Sequence, residues 1–130
     1  MGMVDGAFGA TFDVTVGPVS TGPDNFKRAM IDRIRLSLPG LAFDEEYEVP
    51  VGRGYLRPDF VARFPGTPTV AMVADAKCRA TIARRDVLKV AHYKAVTGAA
   101  KAALCHPRGA HITKGAHQAS RDHGVDLVEG

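Results

Sequence analysis

The sequence predicts an α/β domain with a mixed central sheet flanked by helices. Three observations carry that expectation. Segments with helical spacing alternate with short apolar runs along the chain. The run Val70-Ala71-Met72-Val73-Ala74 is apolar without interruption, as suits a central strand covered on both faces. Clusters of glycine and proline at Pro39-Gly40, Gly52-Arg53-Gly54 and Pro65-Gly66-Thr67-Pro68 separate the segments. At 130 residues the chain suits one domain with one core rather than two.

The elements follow in order. Residues 1–22 read as an N-terminal arm or one extra strand, with Phe12, Val14 and Val16 in alternation. Residues 23–130 read as a single domain. Its first helix starts near Pro23-Asp24-Asn25, where the acid or the amide can cap, and Phe26, Met30, Ile31 and Ile34 recur at helical spacing before Pro39-Gly40 ends it. A strand is expected over Glu46–Val51, with Tyr47, Val49 and Val51 on one face, and a second over Tyr55–Phe64, where Pro58 is tolerable only at an edge or bulge. Thr69–Cys78 is the third strand. Thr81 is a candidate cap for a second helix over Ala83–Val96, which Gly98 stops. Lys101–Cys105 reads as a strand broken by His106-Pro107-Arg108-Gly109. Thr113–His123 reads as a helix closed by Gly124, and Val125–Val128 as a last strand. The order is helix, three strands in a meander, helix, strand, helix, strand.

Composition narrows the function classes. Hydrophobic residues make up 45% and charged residues 24%, a globular balance rather than a disordered one. No apolar run approaches the ~18–20 residues that span a bilayer. Met1–Val19 lacks the basic and apolar regions of a signal peptide. A soluble cytoplasmic protein with no membrane partner is expected. Two cysteines, Cys78 and Cys105, are too few for a disulfide scaffold and read as free thiols; Cys105-His106 is the nearest approach to a zinc pattern. The net charge of +3 is unevenly spread. Residues 1–74 carry seven Lys/Arg against nine Asp/Glu, whereas residues 75–130 carry ten against five and all five histidines. The second half is a candidate polyanion-facing surface, or else a solvated basic face.

Two carboxylates and one lysine stand out: Asp59 in Arg57-Pro58-Asp59-Phe60, and Asp75 and Lys77 in Val73-Ala74-Asp75-Ala76-Lys77-Cys78. Strand residues two apart project from the same face, so Asp75 and Lys77 point together at the end of an apolar strand. A hairpin turning at Pro65–Pro68 lays that strand against the one bearing Asp59, because the two acids are about equally far from the turn. Burying such charges costs several kcal/mol per ion unless they pair or bind metal. A partly buried Asp–Lys pair is one reading. The other is a Mg²⁺ site, since a hard cation prefers carboxylate and carbonyl oxygens; Asp59, Asp75 and the Ala76 backbone carbonyl supply them. Such an ion activates water and stabilises charge on a phosphoryl oxygen, and Lys77 can orient that water or offset developing charge.

Arg57-Pro58-Asp59 followed after a hairpin by Asp75-Ala76-Lys77 resembles the PD-(D/E)xK signature of the restriction-endonuclease-like superfamily, and the element order is similar to its αβββαβ core. Leu56–Arg108 is similar in layout to the nuclease subunit of modified-cytosine restriction systems, the McrBC class. The resemblance covers about residues 24–110. It implies a metal-dependent endonuclease that leaves a 5′-phosphate and a 3′-hydroxyl, with Asp59, Asp75 and Lys77 catalytic and Mg²⁺, or Mn²⁺, as cofactor. DNA is the commoner substrate of the family and RNA the rarer one. A homodimer, or a larger restriction or repair assembly, is the expected setting, because the chain has little room for a target-recognition domain.

Asp86, Lys89 and Tyr93 share one helical face. Many members of the family carry Gln where this chain has Lys89, and the resemblance directs Lys89 and Tyr93 toward the site and the nucleic acid. Arg79, Arg84 and Arg85 follow Lys77 closely and are candidate phosphate contacts, or a solvated loop and helix start. Many members also place a metal-binding glutamate on the first helix. This helix has none, which leaves Asp24, Asp32, Glu46 and Glu48 as candidates for a further ligand. A catalytically inactive nucleic-acid-binding or assembly module of the same fold is the alternative function.

Overall fold

The structure, a computed structural model, describes residues 22–130; the expected arm or strand over residues 1–22 lies outside the described residues, except for Gly22. Helix α1 (Pro23–Ser37) comes first, then β1 (Ala42–Glu45), a β2–β3 hairpin (Val49–Val51 and Gly54–Leu56), β4 (Phe60–Arg63) and β5 (Val70–Ala76). Strand β6 (Thr81–Ile82), helix α2 (Arg84–Thr97), β7 (Lys101–His106), β8 (His111–Ile112), helix α3 (Lys114–His123) and β9 (Val125–Glu129) complete the chain.

Five strands form one mixed sheet in the order β1-β4-β5-β7-β9. β4 runs antiparallel to both β1 and β5, and β7 and β9 add to β5 in parallel through the α2 and α3 crossovers. The expected mixed sheet with an αβββαβ order is therefore what forms. Strand alternation divides the interior between two faces. Phe60, Ala62, Met72, Ala74, Ala103 and Cys105 pack with Phe26, Met30, Ile31 and Ile34 of α1. Val61, Val73, Leu104 and Val125 pack with Val87, Val90 and Tyr93 of α2 and with Ala116 and Ala119 of α3. With helices on both faces, β5 is buried from Val70 to Asp75, which explains its uninterrupted apolar sequence.

Several expected boundaries shift, each for a physical reason. The first sheet strand is Ala42–Glu45, not Glu46–Val51. The chain leaves the sheet at Glu46, which adopts a left-handed φ of 51°, and Val49–Val51 pairs instead with Gly54–Leu56 in a separate hairpin. The expected Tyr55–Phe64 strand is broken at Arg57-Pro58-Asp59. Pro58 has no N–H to give a ladder, and the Asp59 N–H goes to a side chain. Strands β6 and β8, a two-residue parallel pair, were not anticipated; they tie the loop after Lys77 to the loop after β7.

Helix starts differ as well. Gly22, not Asp24 or Asn25, is the N-cap of α1, with no side-chain cap and Pro23 in the first turn. Thr81 lies in β6 rather than capping α2. There the cap position is Ala83, and the Asp86 carboxylate accepts the Ala83 N–H at 2.9 Å while also holding the Arg79 guanidinium. Asp86 is buried. Asp86→Ala is therefore expected to lower stability by about 1–3 kcal/mol, because it orphans a part-buried N–H and frees a charged partner; urea unfolding measures it, and a loss below about 0.5 kcal/mol, the range of ordinary surface changes, would contradict it.

Candidate active site

The β4–β5 hairpin brings Asp59 opposite Asp75. Phe60 pairs with Ala74, Val61 with Val73 and Ala62 with Met72, so the next step outward sets Asp59 against Asp75. This register depends on a bulge. Near the turn Arg63 pairs with Val70, leaving Ala71 as an extra residue on β5. Carried straight through, the turn-side register would have placed Asp59 opposite Ala74, and one step of slip reverses which face each side chain takes.

The two acids brace one another. The Asp59 N–H donates to Asp75 Oδ1 at 2.9 Å, and the Ala76 N–H donates to Asp59 Oδ2 at 2.7 Å. Each carboxylate thus spends one oxygen on the backbone of the opposite strand. The other oxygens face ammonium groups: Asp75 Oδ2 lies 3.7 Å from Lys77 Nζ, and Asp59 Oδ1 lies 3.5 Å from Lys27 Nζ. Lys77 is anchored through its backbone, whose N–H donates to the Cys105 carbonyl on β7 at 2.9 Å.

The electrostatics follow from burial. The Asp75 side chain is 3% exposed. Burial first, and the charge of Asp59 second, push its pKa up to about 6, against the Asp59 N–H and the Lys77 and Lys89 ammoniums, which favour the charged form. Burial raises the Tyr93 pKa, and Asp75 adds to it. Burial opposes the Lys89 charge, yet Tyr93 and Asp75 outweigh it and hold its pKa above the ordinary value; the ammonium lies 5.8 Å from the centre of the Tyr93 ring. Burial likewise opposes the Lys27 charge, which Glu46 and Asp59 more than offset. Cys105, opposite Ala76 on β7, is buried in the core on the α1 side, and burial pushes its thiol up to about 12.

The sequence-selected residues therefore divide. Asp59, Asp75, Ala76 and Lys77 converge, and Lys89 and Tyr93 approach from α2 through their coupling to Asp75. Arg79 is engaged with buried Asp86, while Arg84 and Arg85 are exposed on the first turn of α2. Among the candidates for a further ligand, Asp32 pairs with Arg28 and Arg35, and Glu48 with Arg57. Asp24 is exposed in the first turn of α1. Glu46 is connected to the site, because Lys27 bridges it to Asp59. Sequence reasoning missed Lys27: on a helix searched for a glutamate, a lysine carried no signal.

A cation fits the donor set in part. Two carboxylate oxygens that face ammonium groups are positions a cation can take, and Mg²⁺ needs only one or two carboxylates because it keeps several waters. No group of three His, Cys, Asp or Glu side chains converges among the described residues.

No family profile matches the sequence, and no curated protein does. Solved structures do share the fold. A repair endonuclease from Pyrococcus abyssi matches with a TM-score of 0.57 and 17% identity over 85% of this chain. EndoMS in complex with double-stranded DNA matches with a TM-score of 0.57 and 14% identity over 92%. A crystal structure of a protein of unknown function matches with a TM-score of 0.56 and 10% identity over 80%. The chain spans about half the length of these proteins, covering 48% of the Pyrococcus endonuclease, 47% of EndoMS and 57% of the protein of unknown function. The fold is thus shared with a repair endonuclease and with a protein solved on double-stranded DNA, and no helix among the described residues is long and apolar enough to cross a membrane.

Proposed function

We propose that this chain is a metal-dependent nuclease of the PD-(D/E)xK type that hydrolyses phosphodiester bonds, with DNA as its substrate. The observation that carries the reading is the braced pair Asp59–Asp75 with Lys77 beside it at the buried end of a central strand. Asp59, Asp75 and the Ala76 carbonyl would hold Mg²⁺ or Mn²⁺. When bound, the ion supplies Lewis-acid activation of water and of the phosphoryl group. Lys77 orients the attacking water and offsets the charge that develops as the new P–O bond forms and the bond to the 3′ oxygen breaks.

Lys89 and Tyr93 flank the reacting phosphate from α2. Arg84 and Arg85, with Arg79 steadied by Asp86, meet the flanking backbone as non-specific phosphate contacts. DNA is favoured over RNA by the fold shared with a repair endonuclease and with a protein solved on double-stranded DNA. A second copy, or further domains, would supply target recognition.

Cleavage assays on single-stranded, duplex, branched and RNA substrates with Mg²⁺ or Mn²⁺ test the proposal, with Asp75→Ala and Lys77→Ala in parallel. Cleavage by the wild type, none by Asp75→Ala and only a strongly slowed residual rate for Lys77→Ala are the expected results, with Ca²⁺ supporting binding but not turnover. Activity that survives both substitutions would overturn the mechanism. Binding that persists in EDTA, with no cleavage under any divalent ion, would identify an inactive binding module instead.

A further inference from the structure

Lys27 meets the carboxylate pair from α1, across from the lysine on β5. Its ammonium lies 3.5 Å from Asp59 Oδ1 and 3.2 Å from Glu46 Oε2, and its side chain is 25% exposed. Asp59 Oδ1 is the oxygen of that carboxylate left over by the Ala76 N–H, so Lys27 stands on the atom a metal ion would need. Glu46 is held for this contact by its backbone. Its φ of 51° is left-handed, and its N–H donates to the Asp59 carbonyl at 2.8 Å. An L side chain is strained in that conformation, which glycine would adopt freely. The neighbouring acids are otherwise occupied, Glu45 by Arg28 and Arg35 and Glu48 by Arg57. Glu46 is thus the acid of this edge that shares a lysine with the site.

We propose that Lys27 is a displaceable counter-cation: it neutralises Asp59 while no metal is bound, and moves wholly onto Glu46 when a divalent ion takes Asp59 Oδ1. Glu46 is then a parking position for the ammonium and not a metal ligand. The inference rests on the metal-dependent reading above. It follows from charge: a dication and an ammonium cannot share one carboxylate oxygen without strong repulsion, so ion binding carries the cost of moving Lys27. Glu46 lowers that cost by offering the ammonium a second carboxylate within reach.

The test is calorimetric titration of Mn²⁺ and of Ca²⁺ into wild type, Lys27→Met, Glu46→Gln and the double variant, with no nucleic acid present. Methionine keeps an apolar stem in place of the lysine stem, and Lys27→Gln repeats the measurement should methionine disturb the fold in a thermal melt. Lys27→Met is expected to tighten ion binding by about tenfold, the scale of a solvent-screened charge interaction at a few Å. Glu46→Gln is expected to weaken binding in the wild-type background and to change nothing in the Lys27→Met background. That non-additivity separates a parking position from a ligand. Unchanged or weaker binding by Lys27→Met would overturn the inference while leaving the metal site standing, as would equal weakening by Glu46→Gln in both backgrounds. Absence of ion binding in all four proteins would overturn the metal-dependent reading itself, and this inference with it.

Discussion

Lys77→Ala is expected to reduce the cleavage rate by about 10²–10³-fold, the usual cost of removing one preorganised charge-stabilising donor, without unfolding the protein. The fold should survive because the contact that secures this strand end is the backbone bond from Lys77 to the Cys105 carbonyl, which alanine retains. What disappears is the ammonium 3.7 Å from Asp75 Oδ2. That loss acts twice. It removes the group proposed to orient water, and it removes one of the charges holding the Asp75 pKa down, so Asp75 is protonated at a higher pH. The pH–rate profile of the residual activity should therefore have its acidic limb moved toward neutrality. Single-turnover cleavage at subsaturating Mn²⁺, where protonation of Asp75 competes with ion binding, measured from pH 5 to 9, reads both effects. A wild-type rate, or a slower rate with an unmoved limb, would contradict this role for Lys77.

Asp75→Asn should abolish cleavage and ion binding, yet stabilise the metal-free protein at pH 7.5 by up to about 3 kcal/mol, the equivalent of a shift from 3.8 to about 6. The sign follows from proton counting. A carboxyl whose folded pKa is raised binds more protons in the folded state than in the unfolded state, between its unfolded value and about 6. Stability therefore falls as pH rises through this window, and the full penalty is present above it. The wild type should gain stability on acidification from pH 7.5 toward 5, while Asp75→Asn should lack this gain from position 75. Adding Mg²⁺ at pH 7.5 should stabilise the wild type and leave Asp75→Asn unchanged, because an ion that binds only the folded state adds stability by mass action. Urea unfolding at the two pH values, with EDTA or Mg²⁺, is the measurement. A variant less stable than the wild type at pH 7.5 in EDTA would show that the Asp59 brace outweighs the buried charge.

Much of the fold was legible locally. The spacing of Phe26, Met30, Ile31 and Ile34 marks the buried face of α1, and all four are buried there. The apolar run in β5 reflects helices on both sides. Gly98 and Gly124 end α2 and α3 in left-handed conformations, at φ 73° and 65°. Local signals failed where tertiary pairing set the outcome. Ala42-Phe43-Asp44-Glu45 has no strand alternation of its own; it joins the sheet because β4 presents an open edge. Val49–Val51, a better strand by pattern, lies past the turn at Glu46 and pairs with its own hairpin partner.

The candidate site divides along the same line. The sequence by itself determined that Asp75 and Lys77 share a face, since a two-residue step in a strand permits nothing else, and that they end a strand too apolar to be exposed. It also put Asp59 across the hairpin from them, although the strand expected to carry it is broken there and Asp59 stands one residue before β4. Tertiary structure decided the rest. The bulge at Ala71, which no local motif announces, sets Asp59 against Asp75 rather than Ala74. The approach of α1 to the β4 end brings Lys27 onto Asp59, and the left-handed turn at Glu46 supplies the second acid for that lysine. Register and helix docking minimise free energy over the whole core, so the partners they bring together are distant in sequence and leave no trace in any short stretch of it.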